Sequence, residues 1–213
     1  MQPEYVQGTS EAHGAWVVIV PVKPSAIGKS RLVGAGIERM PLARAIALDT
    51  IAAAAAATEV SRVIVVTDDE LIAAECAPVA GVEVVAEGAA SGLNAAIAHG
   101  AAQADGTYRA ALLGDLPALR PTDLDQALRA ALGVDRAVVP DAEGTGSTLV
   151  TARVGVAWRS EFGADSFERH RTAGFAPLTL RVDSSLRRDV DTLAQLNDAK
   201  ALGLGPRTHQ LVS

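Results

Sequence analysis

Residues 16–22 read WVVIVPV, seven apolar positions in a row with no polar interruption. A strand with one solvated face alternates apolar and polar side chains. An unbroken β-branched run fits a strand buried on both faces, as in a parallel sheet covered by helices on each side. A second such run follows at 62–67 (RVIVVT), with shorter ones at 82–86, 109–113 and 136–139. Helical segments lie between them. Residues 41–57 carry Pro41 in the first turn and a long alanine run, Asp68 or Asp69 can cap the helix that follows, and 93–103 and 122–132 complete the set. This alternation predicts right-handed βαβ units in an α/β, three-layer Rossmann-like sandwich whose mixed sheet is mostly parallel.

After Pro140 the rhythm changes. Residues 147–152 read as a strand without a crossover helix, 165–173 as a short helix, 178–182 (LTLRV) as a strand and 192–202 as a closing helix. Strands added here are expected to be antiparallel and at one edge. Residues 1–14 read as a disordered tail and 15–213 as a single domain, since no Pro-, Gly- or Ser-rich linker divides the chain. The longest apolar stretch, 51–57, is too short to span a bilayer, and no basic region followed by an apolar run opens the chain. With Cys76 alone, no internal disulfide can form, which fits a cytoplasmic protein. A net charge of −6 argues against a polynucleotide partner.

Chemistry is expected at the carboxyl ends of the strands. The loop after the first strand holds Lys23, Gly28, Lys29 and Arg31, three cations and a glycine suited to phosphates. It is not a Walker A loop, because Lys23 stands where that motif needs its first glycine. Asp115 follows an apolar strand directly. Far along the chain, Asp189 and Asp191 are alternate residues that an extended backbone turns to one side. Together the three carboxylates would make a hard oxygen site suited to Mg²⁺ on substrate phosphates. The competing reading makes Asp115 a turn residue and Asp191 the cap of the last helix. Residues 141–148 (DAEGTGST) offer glycine turns and the hydroxyls of Thr145, Ser147 and Thr148. In 162–171 (FGADSFERHR), Asp165 and Glu168 have capping-box spacing, and Ser166 with the first-turn N–H groups would face an anion. Arg169 adds charge there. His170 reads as a surface helix residue rather than a base, and Arg171 as solvent-facing.

Taken together, PVKPSAIGKSRL (21–32), VVTDD (65–69), GLNAAI (92–97), GDLPAL (114–119), GTGSTLV (144–150), FGADSFERH (162–170) and DVDT (189–192) resemble the guanylyltransferases of coenzyme F-420 biosynthesis. That family comprises phosphoenolpyruvate and 2-phospho-L-lactate guanylyltransferases. The resemblance implies a fold akin to molybdenum-cofactor guanylyltransferases. It also implies transfer of GMP from GTP to a small phosphorylated acid, with Mg²⁺ on Asp115, Asp189 and Asp191. The acceptor would be held by Gly163, Ser166 and either Ser147 or Thr148. Thr67, Asp68, Leu93 and Asn94 would lie near the nucleoside, and Lys23, Lys29 and Arg31 would stabilise the departing pyrophosphate. Hand-over of a labile product to a downstream transferase would follow. Two rivals remain at this point: a nucleotidyltransferase for another acceptor, and a non-catalytic nucleotide-binding regulator.

Overall fold

The computed structural model describes residues 15–23, 38–89 and 91–213. Gly28, Lys29, Arg31 and the tail at 1–14 lie outside the described residues. All six residues of β1 (Trp16–Pro21) are buried, as its unbroken apolar run requires. Trp16, Val18 and Val20 point to one face of the sheet and Val17 and Ile19 to the other. β1 pairs in parallel with β2 (Val60–Val66) and β4 (Tyr108–Leu112), and β2 with β3 (Val82–Val85).

Beyond β4 the direction reverses. β6 (Ser147–Ala152) is antiparallel to both β4 and β5 (Arg136–Pro140), and a two-residue β7 (Ala176–Pro177) closes the edge. The seven strands run β3-β2-β1-β4-β6-β5-β7. The antiparallel strand is therefore inserted between parallel neighbours rather than added at an edge. The strand expected at 178–182 is absent. Only Leu178 keeps contact, its N–H donating to the Val138 carbonyl at 2.9 Å. Leu178 and Leu180 instead pack sideways on the core, which accounts for their apolar spacing.

Helices cover both faces. α1 (Arg39–Ala55), α2 (Glu70–Cys76) and α4 (Pro121–Ala131) pack on the face of Val18 and Val20. α3 (Leu93–Ala102) packs on the face of Val17 and Ile19, and α5 (Ser166–Thr172) on the β5–β6 part of that same side. Gly100 lets α3 approach closely. A Cβ there would stand 2.7 Å from a Val66 methyl and 2.8 Å from an Ile19 methyl. No helix of the described residues is long and apolar enough to cross a membrane.

α6 (Leu193–Leu202) packs against the outer side of α1 through Leu196 and Ala199. It is not the closing helix, because α7 (Pro206–Val212) follows. The sequence hides α7 because its cap comes from elsewhere. Pro206 has no N–H to satisfy, and the next two N–H groups, of Arg207 and Thr208, donate to the buried Asp49 carboxylate of α1 at 3.2 and 2.7 Å. Gly205 admits that carboxylate, since a Cβ would stand 2.4 Å from its carbon. Replacing Asp49 by Ala leaves two N–H groups without their acceptor. The expected cost is about 1–3 kcal/mol, read as a lower urea midpoint at similar slope. An unchanged midpoint would show that α7 docks by its apolar contacts alone.

Candidate active site

Two cavities open where β1 and β4 end and β6 begins. The first, about 280 Å³, is walled by Val22, Ala47, Ile72 and Leu93, with Lys23, Arg44 and Asp69 at its rim. The second, about 300 Å³, is formed by Asp141, Thr145–Ser147, Phe162–Ser166 and Asp189. Leu93, Leu113, Asp115 and Asp191 line both, so carboxylates stand where an apolar chamber meets a polar one.

The seam between the cavities is built from backbone contacts. Gly114 lets the exit of β4 run against β1, where a Cβ would sit 3.3 Å from the Pro21 carbonyl oxygen. Leu116 N–H donates to Thr50 Oγ1 at 3.0 Å, and Val190 N–H to the Asp115 carbonyl at 3.0 Å. Val190 is wholly buried against Leu42, Ile46 and Ala118. With Val190 turned inward, Asp189 and Asp191 are left lining the second cavity. Asp191 is not the cap of α6. Thr192 takes that role, its Oγ1 accepting from Gln195 N–H.

Two further acids join this set. Asp141 accepts from Thr145 N–H at 2.9 Å and Gly146 N–H at 2.6 Å. Only glycine fits at 146, where a Cβ would fall 2.3 Å from an Asp141 oxygen. Glu143 accepts from the Gln195 side-chain amide at 3.1 Å. One oxygen each of Asp141, Glu143 and Asp189 lie within 4.8 Å of one another. Burial, and then the carboxylates of Asp115, Asp141 and Asp191, push the Asp189 carboxyl up to about 7. Its Oδ1 is buried without a hydrogen-bond partner among the described residues. A hard divalent cation fits these donors and would relieve their repulsion.

The remaining expected site residues are divided by the fold. Lys23 and Leu93 line the first cavity. Thr67 Oγ1 accepts from Asp69 N–H and Asp68 from Glu87 N–H, so both serve the turn and line a neighbouring depression. Asp69 caps α2. Both ends of the Asn94 amide bracket Phe162, donating to its carbonyl and accepting from its N–H at 2.9 Å. Asn94 therefore holds the loop at Phe162, with one N–H and one lone pair of its amide still to spare. β6 turns Ser147 toward the second cavity and Thr148 away from it, Thr148 Oγ1 donating to the Leu186 carbonyl at 2.6 Å.

Gly163 (φ 128°) and Ser166 line the second cavity, with Arg169 immediately behind Gly163. Arg169 donates to the Glu161 carbonyl at 2.8 Å and faces an outer groove, not the cavity. The expected capping box is absent. Asp165 adopts a left-handed conformation (φ 53°) that turns its carboxylate away, and Phe167 N–H donates to the Thr145 carbonyl instead. Arg171 pairs with Glu168 in solvent. His170 is fully buried rather than on the surface. Its four-residue spacing from Ser166 was the available signal, since both lie on one helix face. Arg44, whose Nε is buried without a hydrogen-bond partner among the described residues, had none, because an alanine-rich helix does not mark which face meets the cavity.

The same fold occurs in 4-diphosphocytidyl-2C-methyl-D-erythritol synthase of Anaerococcus prevotii. That match has a TM-score of 0.60 at 10% identity and covers 88% of this chain and 95% of the other. It occurs also in a CMP:2-keto-3-deoxy-manno-octonic acid synthetase complexed with CTP (0.53, 17%, covering 89% and 98%). A Mycobacterium tuberculosis protein solved with manganese shares it as well (0.52, 17%, 86% and 96%). The fold is thus shared with these solved structures. Residues 16–202 match the family described as guanylyl transferase CofC like. Phosphoenolpyruvate guanylyltransferases of Thermomonospora curvata and Streptomyces coelicolor are 46% and 48% identical, over 98% and 91% of this chain and 93% of each relative. The chain belongs to the CofC-like guanylyl transferase family, and it is a nucleotidyltransferase.

The raised Asp189 carboxyl has a consequence for stability. The folded protein keeps a proton that the unfolded chain releases near pH 4. That stabilising contribution is complete below about pH 4 and is lost as pH rises through 7. Asp189→Asn has no proton to lose. With chelator present, its stability advantage over the unsubstituted protein should grow by about 1–3 kcal/mol between pH 5 and 7.5 in urea titrations. Burial of His170, which lowers its value to about 4, acts in the opposite sense but is common to both proteins and cancels. A flat difference would mean that Asp189 is ionised throughout this range.

Proposed function

We propose that this chain transfers GMP from GTP to phosphoenolpyruvate, or to a closely related phospho-acid such as 2-phospho-L-lactate. The product is a guanosine diphosphodiester for coenzyme F-420 biosynthesis, made in the cytoplasm and consumed by a downstream transferase. The observation that carries this reading is the pair of cavities meeting at Asp115 and Asp191. That the relatives are phosphoenolpyruvate guanylyltransferases supports the choice of GTP and phosphoenolpyruvate.

In this reading the apolar cavity takes the nucleoside and the polar cavity takes the acid. The acceptor phosphate is ionised near neutral pH, so no protein base is needed. One of its oxygens forms a bond to the α-phosphorus, and the bond to the β-phosphate bridging oxygen breaks, pyrophosphate leaving with the electron pair. Bound Mg²⁺ would supply charge neutralisation at the attacking and leaving oxygens. Asp115, Asp189 and Asp191 would hold it, with Asp141 or Glu143 adjoining. Lys23 and Arg44 at the nucleotide cavity, with Lys29 and Arg31 of the preceding loop, would stabilise the triphosphate. Ser147, Gly163 and Ser166 would orient the acid. Catalysis is then positioning and electrostatics.

Pyrophosphate release with Mg²⁺ and GTP should require phosphoenolpyruvate or a related phospho-acid. ATP and CTP serve as controls, the adduct is detected by mass, and the downstream enzyme is added to trap a labile product. Asp115→Asn and Asp189→Asn should each lower kcat roughly a hundredfold or more while the circular dichroism spectrum is retained. Full activity in either folded variant would remove that residue from the cation site. Binding of GTP without any turnover, trap included, would favour a regulator instead.

A further inference from the structure

We propose that His170 is a positioning residue that locks the Ser147 hydroxyl as a hydrogen-bond donor aimed into the acceptor cavity. This rests on the second cavity being the acceptor site, as above. The His170 ring is fully buried, with the rings of Phe162 and Phe175 edge-on at 5.2 and 5.0 Å. Its Nε2 receives the Glu161 backbone N–H at 2.8 Å. A backbone N–H only donates, so Nε2 is an acceptor and the single proton of the neutral ring sits on Nδ1. Nδ1 lies 3.0 Å from Ser147 Oγ, with the backbone of Ser166 also in contact with the ring. Whichever of these takes the Nδ1 proton, Nδ1 cannot accept one from Ser147.

The hydroxyl of Ser147 makes no other hydrogen bond among the described residues, and it lines the cavity. Its own proton is therefore directed at whatever anion enters. Burial, reinforced by Arg169 and Arg159 and opposed by Glu161, lowers His170 to about 4, so the ring stays neutral at working pH. The same tautomer excludes a Ser–His nucleophilic pair, because no ring nitrogen is left to take the serine proton. Ser147 is therefore a donor to the acid and not an attacking group.

The amide substitutions separate the two ring nitrogens. His170→Asn keeps a donor at the Nδ1 position, whereas His170→Gln keeps an acceptor at the Nε2 position and loses the donor to Ser147. For the acceptor acid, His170→Gln and Ser147→Ala should each raise KM roughly tenfold or more, and His170→Asn by no more than about threefold, with KM for GTP unchanged. In the Ser147→Ala background, His170→Gln should add less than about twofold, because its effect runs through that hydroxyl. Equal effects of Asn and Gln, or full additivity, would overturn the proposal. Nitrogen-15 NMR of the unsubstituted chain tests the tautomer without any variant. One of the four histidines should be neutral and Nδ1-protonated at pH 6, and its absence would also overturn it. If the unsubstituted enzyme turns over no phospho-acid at all, the acceptor assignment fails instead of the role of His170.

Discussion

The site depends on holding several carboxylates close together before any cation arrives, against their mutual repulsion. One buried side chain and one hydrogen bond accomplish much of this. Val190 inserts among Leu42, Ile46 and Ala118, and its N–H reaches the Asp115 carbonyl, so the two halves of the acid cluster cannot drift apart. Burial of a valine contributes on the order of 1.5–3 kcal/mol, comparable to the repulsion it opposes. Burial first, and then the neighbouring carboxylates, raise the Asp189 carboxyl. Asp141 is handled differently, its charge answered by two backbone N–H groups in a turn that only glycine at 146 permits.

Much of this was legible in the sequence because its determinants are local. The uninterrupted run at 16–22 announces a doubly covered strand, and Asp115 one step beyond an apolar strand announces a position over the crevice. The alternation of Asp189 and Asp191 points two carboxylates to one side, whereas the anchoring by Val190 between them emerges only from the packing. The part that was not legible rests on contacts distant in sequence. α7 is capped by Asp49, more than 150 residues earlier. Asn94 is committed to Phe162 across 68 residues. His170 is buried by Phe162 and Phe175 because α5 settles on β5 and β6, and its four-residue spacing from Ser166 marks a shared helix face without saying what that face meets. The segment at 178–182 has strand-like spacing for another reason, since its leucines complete the core beside a ladder only two residues long.

The two cavities differ in kind as well as position. The first cavity is walled by aliphatic side chains from helices and by the end of β1, and Lys23 and Arg44 also line it. The other side is built from glycine turns, hydroxyls and acids, held in place by backbone hydrogen bonds among residues 141–146, 161–167 and the start of α5. Binding there is by directed groups rather than by burial, and such groups discriminate among small anions by geometry.

The reversed strand β6 gives this division a lasting form. A strand that runs against its neighbours starts at the edge where they finish, so its first side chain is delivered to the cleft by the ladder itself and not by a loop. Leu113 N–H to the Thr148 carbonyl, at 3.0 Å, pins that arrival point. The seam between the two cavities therefore coincides with the line along which the sheet changes polarity. Beyond that line lie the glycine turns and hydroxyls of the second cavity, while the first cavity is walled by the parallel half.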